Sequence, residues 1–411
     1  MAEHTILRLG HHGDGIAANE KGTPVYAPLT LPGEVITGAI DGGRIAAPSV
    51  ITPSHDRIKP PCPHFKSCGG CNLMHASDPF VASFKSDVIT NAFATHGLTA
   101  NLRPILTSPA RTRRRATLSG TRTKKGALIG FHARKSDTIV PIRDCFLLHP
   151  RLLDTLPTLE QITRIGASRS ATLAFALTLT DTGIDLAVSG GKPLDGPLRA
   201  ALPQAARGIL RLTWDTEPVF IETPPTLPIG SARVTPPPGA FLQATPEGEA
   251  ALQAALTEAT HGAAHIADLF CGLGTFALPL AANVPVHAVE NAPDLLDALT
   301  QAANHTTGLK PITTEARDLF RRPLLPDELA KFDAIVIDPP RAGAEAQTRE
   351  IAKAQVPRIA AVSCNPVTFA RDAKILTDAG YRLDWVQPID QFRWSPHVEL
   401  AAQLSLPHIH P

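Results

Sequence analysis

Three short motifs in the last third of the sequence place reactive side chains beside apolar, strand-like segments. They are Asp338-Pro-Pro-Arg, Ser-Cys364-Asn-Pro and His-Val-Glu399. Ligands of open α/β sheets bind where the parallel strands end, so we expect one rim of a sheet to gather the thiol and both carboxylates. A strand-end cysteine by itself is more often a packing residue. Together, however, a thiol and a neighbouring carboxylate favour covalent catalysis with a proton-transfer step.

A glycine-containing turn follows the strand-like segment around Asp268. Gly272 and Gly274 allow a tight turn and a close approach of the backbone to a ligand. Glu290 ends the next strand, where an acidic side chain can accept hydrogen bonds from both ribose hydroxyls of a nucleoside. The turn lacks the third glycine of a pyrophosphate-binding turn. We therefore predict S-adenosylmethionine rather than NAD, with Asp318 meeting the adenine; an α/β domain without a ligand is the alternative.

Methyl transfer to carbon 5 of a uracil would use all of these groups. Carbon 5 is a poor nucleophile, but addition of the Cys364 thiolate to carbon 6 gives an enolate whose carbon 5 can attack a sulfonium methyl group. The proton on carbon 5 must then leave, and Glu399 is the predicted base. Asp338 is predicted to hydrogen-bond the edge of the ring.

Four further cysteines have the spacing of a metal site. Clustered cysteines in a reducing compartment usually bind metal instead of forming disulfides. Their spacing is compatible with zinc, in which case His64 or His75 could replace one ligand, and equally with an iron–sulfur cluster. The four are Cys62, Cys68, Cys71 and Cys145.

A basic stretch from Arg103 to Lys135 contains ten Lys or Arg residues and no Asp or Glu. Such a block is a candidate phosphate-binding stripe, and we predict that Arg113, Arg114 and Arg115 contact RNA. A solvated charged face or hairpin is the alternative.

The elements that would position these groups form three predicted domains. Short strands and frequent glycines in residues 1–58 predict a small β-barrel. Residues 59–235 are predicted to form a mixed α+β domain with a helix at 79–96. The Pro-rich segment 224–238 is predicted to be a linker. Residues 236–411 alternate strands and helices, which predicts a parallel, doubly wound sheet. Its last two strands, 382–389 and 398–406, are predicted to form an antiparallel hairpin at one edge.

The bulk properties narrow the class of protein. With 411 residues, 43% hydrophobic and 19% charged, the chain has the composition of a soluble protein of two or three domains. It lacks an apolar run of the roughly 18 residues that a membrane helix needs, and a secretory signal pattern is not apparent. These features predict a cytoplasmic protein without a membrane partner, and an obligate protein partner is not evident.

The motifs together resemble those of the uracil-5 RNA methyltransferases that act on bacterial 23S ribosomal RNA and on transfer RNA. The resemblance extends over the whole chain and includes Phe241-Leu-Gln, Asp268-Leu-Phe-Cys-Gly-Leu-Gly and the three reactive motifs. It implies a Rossmann-like class I methyltransferase domain in which Cys364 is the nucleophile and Glu399 the base. It also implies a cofactor and substrate pocket lined by Gln243, Phe270, Thr275, Glu290, Asp318 and Asp338.

The same resemblance extends to the other domains. It implies that the N-terminal barrel is a TRAM domain for RNA binding and that the four clustered cysteines hold a structural [4Fe-4S] cluster. Transfer-RNA members generally lack both, which favours 23S ribosomal RNA with a flipped-out target uracil. Two positions depart from the family pattern. Thr275 stands where many members have Asn, and the segment Phe392-Arg-Trp-Ser-Pro replaces the usual Phe-Pro-x-Thr-x, which could alter target choice.

Two other functions are compatible with parts of this pattern. An RNA cytosine-5 methyltransferase also adds a cysteine to carbon 6, and a non-catalytic RNA-binding factor could retain the fold alone. The Pro-His-Val-Glu399 motif and the single strand-end Cys364 favour uracil. Intact Cys364, Glu399 and Glu290 favour an active enzyme.

Overall fold

The computed structural model describes residues 2–19 and 21–407, and its N-terminal part is a small all-β domain. Within residues 2–19 and 21–58, two three-stranded antiparallel sheets have the orders β1-β5-β6 and β2-β3-β4. Ile6, Val25, Ile36 and Ile45 are buried between them and form one core. The strands are β1 Glu3–Thr5, β2 Arg8–Leu9, β3 Gly15–Ala18, β4 Pro24–Ala27, β5 Val35–Thr37 and β6 Ser49–Thr52.

The predicted helix forms as α1, Asp78–Ala94, but it belongs to the C-terminal domain. Ser77 caps it by accepting a hydrogen bond from the backbone N–H of Phe80. Its buried face, which includes Ile89 and Phe93, joins the hydrophobic core of the C-terminal domain. Strand β7, Leu106–Thr107, then adds to the C-terminal sheet. The predicted assignment of residues 59–235 to one domain is therefore wrong for this segment.

The central domain is a seven-stranded sheet with the order β10-β9-β8-β11-β12-β13-β14. Its core includes Leu118, Phe175, Leu186 and Trp214, and the basic stretch supplies the hairpin of β8 and β9. Only β12 and β13 pair in parallel, across a helical connection. The elements are β8 Arg115–Thr123, β9 Gly126–His132, β10 Ile139–Pro141, α2 Pro150–Leu153, α3 Leu156–Gly166, β11 Thr172–Leu179, β12 Ile184–Ser189, α4 Gly196–Ala205, β13 Arg211–Trp214 and β14 Glu217–Ile221.

The Pro-rich segment is a packed hairpin, so the prediction of a linker is wrong. Strands β15, Leu227–Ile229, and β16, Ala232–Val234, pair antiparallel around Gly230, whose φ of 59° suits glycine in a tight turn. Leu227 and Val234 are buried in the core of the C-terminal domain. The C-terminal domain therefore begins before residue 236 and includes this hairpin.

The C-terminal domain contains an eight-stranded sheet with the order β19-β18-β17-β20-β21-β23-β22-β7. The strands from β19 to β21 are parallel, and β23 is antiparallel to both of its neighbours. The elements are α5 Pro246–Ala259, β17 Ile266–Leu269, α6 Ala277–Leu280, β18 Val286–Glu290, α7 Pro293–Asn304, β19 Ile312–Ala316, α8 Pro326–Leu329, β20 Ala334–Ile337, α9 Glu345–Ala354, β21 Arg358–Ser363, α10 Pro366–Asp378, β22 Arg382–Asp390 and β23 Glu399–Ser405.

This sheet confirms the predicted parallel, doubly wound architecture. Strands β17 and β20 are buried along their whole length, as expected for central strands covered on both faces by helices. The predicted hairpin of β22 and β23 also forms, but β7 lies outside it, so the hairpin is not at the sheet edge. Among the described residues, no helix is long and apolar enough to cross a membrane.

Replacing Leu227 with alanine should destabilise the C-terminal domain, because this side chain is buried in its core. We expect a loss of about 2–5 kcal/mol in the free energy of unfolding, measured by urea denaturation. Leu325→Ala is the matched control, since Leu325 is half exposed in the same domain. Its cost should be below about 1 kcal/mol. If Leu227→Ala lowered the free energy of unfolding as little as Leu325→Ala does, the hairpin would be a loosely attached linker.

Candidate active site

The strand pairing brings three reactive residues to one rim of the C-terminal sheet. Asp338 follows β20 directly and Cys364 follows β21 directly, and these two strands are parallel neighbours. Glu399 is the first residue of β23, which runs antiparallel to β21 with Ser363 opposite Leu400. The start of β23 therefore lies beside the end of β21. The thiol and both predicted carboxylates meet at this edge.

The thiol of Cys364 lies in a half-buried and negatively charged setting. Burial raises its pKa above the ordinary value, and the carboxylates of Glu399 and Asp338 raise it further. The neighbouring guanidinium of Arg341 acts in the opposite direction. Arg341 is therefore the neighbouring group that favours the thiolate, and it was not predicted as a site residue although it completes the Asp338-Pro-Pro-Arg motif.

Glu399 is a buried carboxyl group that titrates near neutral pH. Burial raises its pKa to about 7, while a hydrogen bond from Gln391 and the charge of Arg341 act to lower the pKa. A carboxylate with a pKa near the working pH is suited to general base catalysis. Gln243, a predicted pocket residue, is joined to Glu399 through Gln391, whose amide nitrogen donates to both side chains.

Two more carboxyl groups make this rim strongly acidic. Asp338 is half-buried, and its pKa is raised by burial and by the nearby Glu399 and Asp268. Asp268 is fully buried on β17, and burial raises its pKa to about 8. Ionisation of one of these carboxyl groups disfavours ionisation of the others. A cation bound beside them would favour their ionised forms.

The turn after β17 has the conformation that a closely bound ligand requires. Gly272 has a φ of 55° with open space where a Cβ would lie, and Gly274 has a φ of 90°. A Cβ on Gly274 would lie 2.4 Å from the Cδ1 of Leu299, and the φ of 90° would strain any residue with a side chain, so the backbone conformation favours glycine there. Phe270 also has a positive φ of 61°, which is uncommon for a bulky residue and typical of functional sites.

Glu290 is held beneath this turn by three backbone N–H groups. Its Oε2 accepts a hydrogen bond from Gly272 at 3.1 Å, and its Oε1 accepts bonds from Asn291 at 2.7 Å and Ala292 at 3.1 Å. Half-buried Thr275 follows the turn, and its carbonyl accepts a bond from Gln253 at 3.1 Å. The Glu290 carboxylate is thus fixed beside the open space at Gly272.

An aromatic pair and an acidic residue lie at the same sheet edge, after β17 and β19. The ring centroids of Phe270 and Phe320 are 5.3 Å apart, and Phe320 is about half exposed. Half-buried Asp318 accepts a hydrogen bond from the backbone N–H of Phe320 at 3.0 Å. A carboxylate for ribose hydroxyls, apolar rings and a second carboxylate fit the nucleoside part of S-adenosylmethionine. The sequence analysis missed Phe320, although it lies two residues after Asp318.

The four clustered cysteines line a single cavity of about 300 Å³. Arg341, Phe392 and His397 also border this cavity, so it reaches the segments that carry the reactive residues. Burial raises the pKa of the Cys71 thiol, and the other three cysteine thiols raise it further. In residues 2–19 and 21–407, no group of three or more His, Cys, Asp or Glu side chains is placed to hold a metal ion.

The three predicted RNA-binding arginines do not share one environment. Arg113 and Arg115 are half-buried, and the guanidinium of Arg115 lies 4.7 Å above the ring of exposed Phe241. Arg114 is buried, pairs with Glu249 of α5, and donates a hydrogen bond to the carbonyl of Gln243 at 3.1 Å. The prediction that Arg114 binds RNA is therefore wrong, because its guanidinium is engaged between two domains.

A mostly parallel sheet with a glycine turn after β17 and an acidic residue at the end of β18 has the Rossmann-like arrangement of class I methyltransferases. A solved structure agrees with this fold. The Pyrococcus abyssi tRNA (uracil-54, C5)-methyltransferase in complex with S-adenosyl-L-homocysteine matches with a TM-score of 0.75. The match covers 98% of this chain and 99% of that chain, at 21% sequence identity.

Sequence comparisons identify the family. The model of the tRNA (Uracil-5-)-methyltransferase family matches residues 239–406. An uncharacterized RNA methyltransferase from Rhizobium meliloti (strain 1021) is 44% identical, with 97% of this chain and 98% of that protein covered. The 23S rRNA (uracil(1939)-C(5))-methyltransferase RlmD from Shewanella sp. (strain ANA-3) is 32% identical, with 98% and 95% covered. The chain belongs to the uracil-5 RNA methyltransferase family.

Proposed function

We propose that this enzyme transfers the methyl group of S-adenosylmethionine to carbon 5 of a uridine in 23S ribosomal RNA. The observation that carries the proposal is the meeting of Cys364 and Glu399 at one sheet rim, beside a pocket that fits a nucleoside. A thiol for carbon 6 and a carboxylate for the proton on carbon 5 are the two groups that this reaction needs.

The reaction begins with Cys364. Its sulfur adds to carbon 6 of the uracil, with Arg341 favouring the thiolate, and the electron pair moves toward carbon 5 and the carbonyl oxygen at carbon 4. Bound S-adenosylmethionine would supply an electrophilic methyl group to carbon 5 and would leave as S-adenosylhomocysteine, with its sulfur keeping the electron pair of the broken bond. Glu399 then takes the proton from carbon 5, the double bond re-forms, and the thiolate leaves carbon 6. Asp338 holds the edge of the ring during these steps.

The cofactor pocket supplies orientation. Glu290 is placed to accept hydrogen bonds from the ribose hydroxyls, because its carboxylate is already oriented by three backbone donors. Phe270 and Phe320 offer an apolar surface to the adenine, and Asp318 an acceptor. Thr275 stands where the family pattern has Asn, so this position offers a hydroxyl on a shorter side chain to the cofactor in place of an amide.

The choice of 23S ribosomal RNA rests on the RlmD relative, which is similar over nearly the whole chain. Transfer RNA is the second candidate, because the Pyrococcus transfer-RNA enzyme matches the fold over a comparable length. Because both enzymes match nearly the whole chain, the set of domains does not decide between 23S ribosomal RNA and transfer RNA as the substrate. In either RNA the target uracil must leave its stack to reach Cys364. We propose that the N-terminal domain acts as a TRAM-type RNA-binding barrel and that the enzyme works in the cytoplasm.

We also propose that Cys62, Cys68, Cys71 and Cys145 hold a [4Fe-4S] cluster. Four thiols around one cavity of about 300 Å³ suit a group larger than a single ion. Arg134 supports the ligand loop, since its guanidinium donates hydrogen bonds to the carbonyls of Phe65 at 2.9 Å and Cys68 at 3.3 Å. The role is structural, because the methyl transfer moves no single electron. Zinc is the alternative occupant.

Cys364→Ala should abolish the release of tritium from RNA labelled at carbon 5 of uracil. Loss of a covalent nucleophile is expected to lower the rate by more than about three orders of magnitude. The assay uses S-adenosylmethionine with unmodified 23S ribosomal RNA and transfer RNA in separate reactions. Tritium release from 23S RNA by the wild type, and not by Cys364→Ala, supports the proposed reaction, nucleophile and RNA substrate. If only transfer RNA releases tritium, transfer RNA is the substrate. If neither RNA releases tritium, uracil-5 methylation is rejected.

Anaerobically purified protein should contain about four iron and four sulfide per chain, with a brown colour, if the cluster is present. Cys71→Ser should lose both iron and sulfide, because it removes one thiolate ligand. Cys271→Ser is the matched control, since Cys271 is buried on the turn after β17, away from the cavity. Stoichiometric zinc without iron in the wild type would overturn the proposal.

Arg113→Gln and Arg115→Gln should each weaken RNA binding and flatten its salt dependence. The slope of log K against log salt is expected to fall by about 0.7 for each single-strand phosphate contact removed. Binding is measured by filter retention between low and moderate salt. Arg114→Gln serves as the control, because its pairing with Glu249 is internal. It should lower stability by about 3–5 kcal/mol and leave the slope unchanged. If the salt slope changed in Arg114→Gln but not in Arg113→Gln or Arg115→Gln, the assignment of Arg113 and Arg115 to RNA binding would be contradicted.

A further inference from the structure

We propose that Gln391 is a positioning residue that holds the base Glu399 and the pocket residue Gln243 in one fixed arrangement, ready for removal of the proton from carbon 5. The inference rests on the proposed function, because it assigns Gln391 a role in one step of that reaction. It adds a residue that lies outside all the motifs by which the site was predicted.

The orientation of the Gln391 amide is determined by its neighbours. Its Oε1 accepts a hydrogen bond at 2.7 Å from the backbone N–H of Ala244, a group that can only donate. The Nε2 must therefore point to the other side, where it donates to Oε1 of Gln243 at 2.6 Å and to Oε2 of Glu399. Both N–H groups and the oxygen are thus used. All three side chains are at least 96% buried.

The backbone around Gln391 is itself clamped by a buried ion pair. Nζ of Lys85 on α1 lies 2.5 Å from Oδ1 of Asp390 and donates a hydrogen bond to the carbonyl of Phe392 at 3.1 Å. Asp390 also accepts a bond from the backbone N–H of Phe392 at 3.0 Å. Gly248 closes the space on the side of α5, where an added Cβ would lie 2.7 Å from the Cβ of Gln391. The amide is therefore held on every side.

Gln391 matters because Glu399 has competing partners. The charged or titratable groups that face Glu399 are Arg341, Asp338 and Cys364. A free Glu399 carboxylate would be drawn toward Arg341, the cation that favours the Cys364 thiolate. One N–H of Gln391 bonds the Glu399 carboxylate and favours its ionised form, while the other anchors the same amide to Gln243. Glu399 then stays bonded to Gln391, and Arg341 remains available to Cys364.

The test separates the two chemical steps in a Gln391→Met variant, which has a similar volume and no amide. One measurement follows labelled methyl groups into RNA, free or covalently attached to protein. The other follows tritium released from carbon 5. We expect methyl transfer to fall less than about threefold and tritium release to fall about 10- to 100-fold, as for loss of a hydrogen bond to a charged group. The methylated RNA–protein adduct should accumulate.

The pH dependence provides a second readout. The acid limb of tritium release should shift to higher pH in Gln391→Met, because the donor that favours the ionised carboxylate is lost. Gln387→Met is the matched control: Gln387 is also buried on β22, but its Nε2 donates to the carbonyl of Pro104 at 2.7 Å. It should change stability and leave both the ratio of the two steps and the acid limb unchanged. Gln391→Asn, which keeps the amide but shortens its reach, should give the same separation if the Met variant does not fold.

An equal fall of both steps with an unmoved acid limb would overturn the inference and leave Gln391 a purely structural residue. An absence of tritium release from the wild type would instead reject the proposed function itself. The two failures are therefore distinguishable.

Discussion

The antiparallel pairing of β23 with β21 is the constraint on which the active site depends. A parallel β23 would begin at the opposite edge of the sheet, and seven residues at about 3.3 Å each would place Glu399 roughly 20 Å from Cys364. Reversing this one strand brings the start of β23 to the end of β21. The parallel strands β17 and β18 end at the same rim with the proposed cofactor residues, so the proposed function assigns both binding and chemistry to a single edge of one sheet.

The rim combines groups whose charges oppose one another. Asp338 and Glu399 both disfavour a thiolate at Cys364, while Arg341 favours it. In the proposed reaction, the Cys364 thiolate therefore needs a neighbouring cation, whereas Glu399 needs to lose its proton. A positively charged sulfonium beside this group would favour the ionised carboxylates. Substrate and cofactor thus contribute to the electrostatics of the site in which they react.

The strands and the reactive rim could be predicted because buried strands and glycine turns leave strong local patterns. Two errors have physical causes. Adjacent residues of an extended segment point to opposite faces, so Arg114 is buried while Arg113 and Arg115 remain near the surface. Prolines suggested a flexible linker at 224–238, but the apolar residues between them pack into a core. Gln391 was missed because its partner Gln243 lies 148 residues away.

Because α1 packs into the core of the C-terminal domain and β7 joins its sheet, this domain is discontinuous in sequence. The central domain is an insertion between β7 and the hairpin that begins at Leu227. During synthesis, α1 and β7 emerge long before β22, the strand that β7 pairs with. Val81, near the start of α1, packs against Leu9 and Leu31 of the N-terminal domain, which are made first. The central domain can fold as soon as it is complete, whereas the face of α1 around Ile89 and Phe93 is covered only when nearly the whole chain has been made.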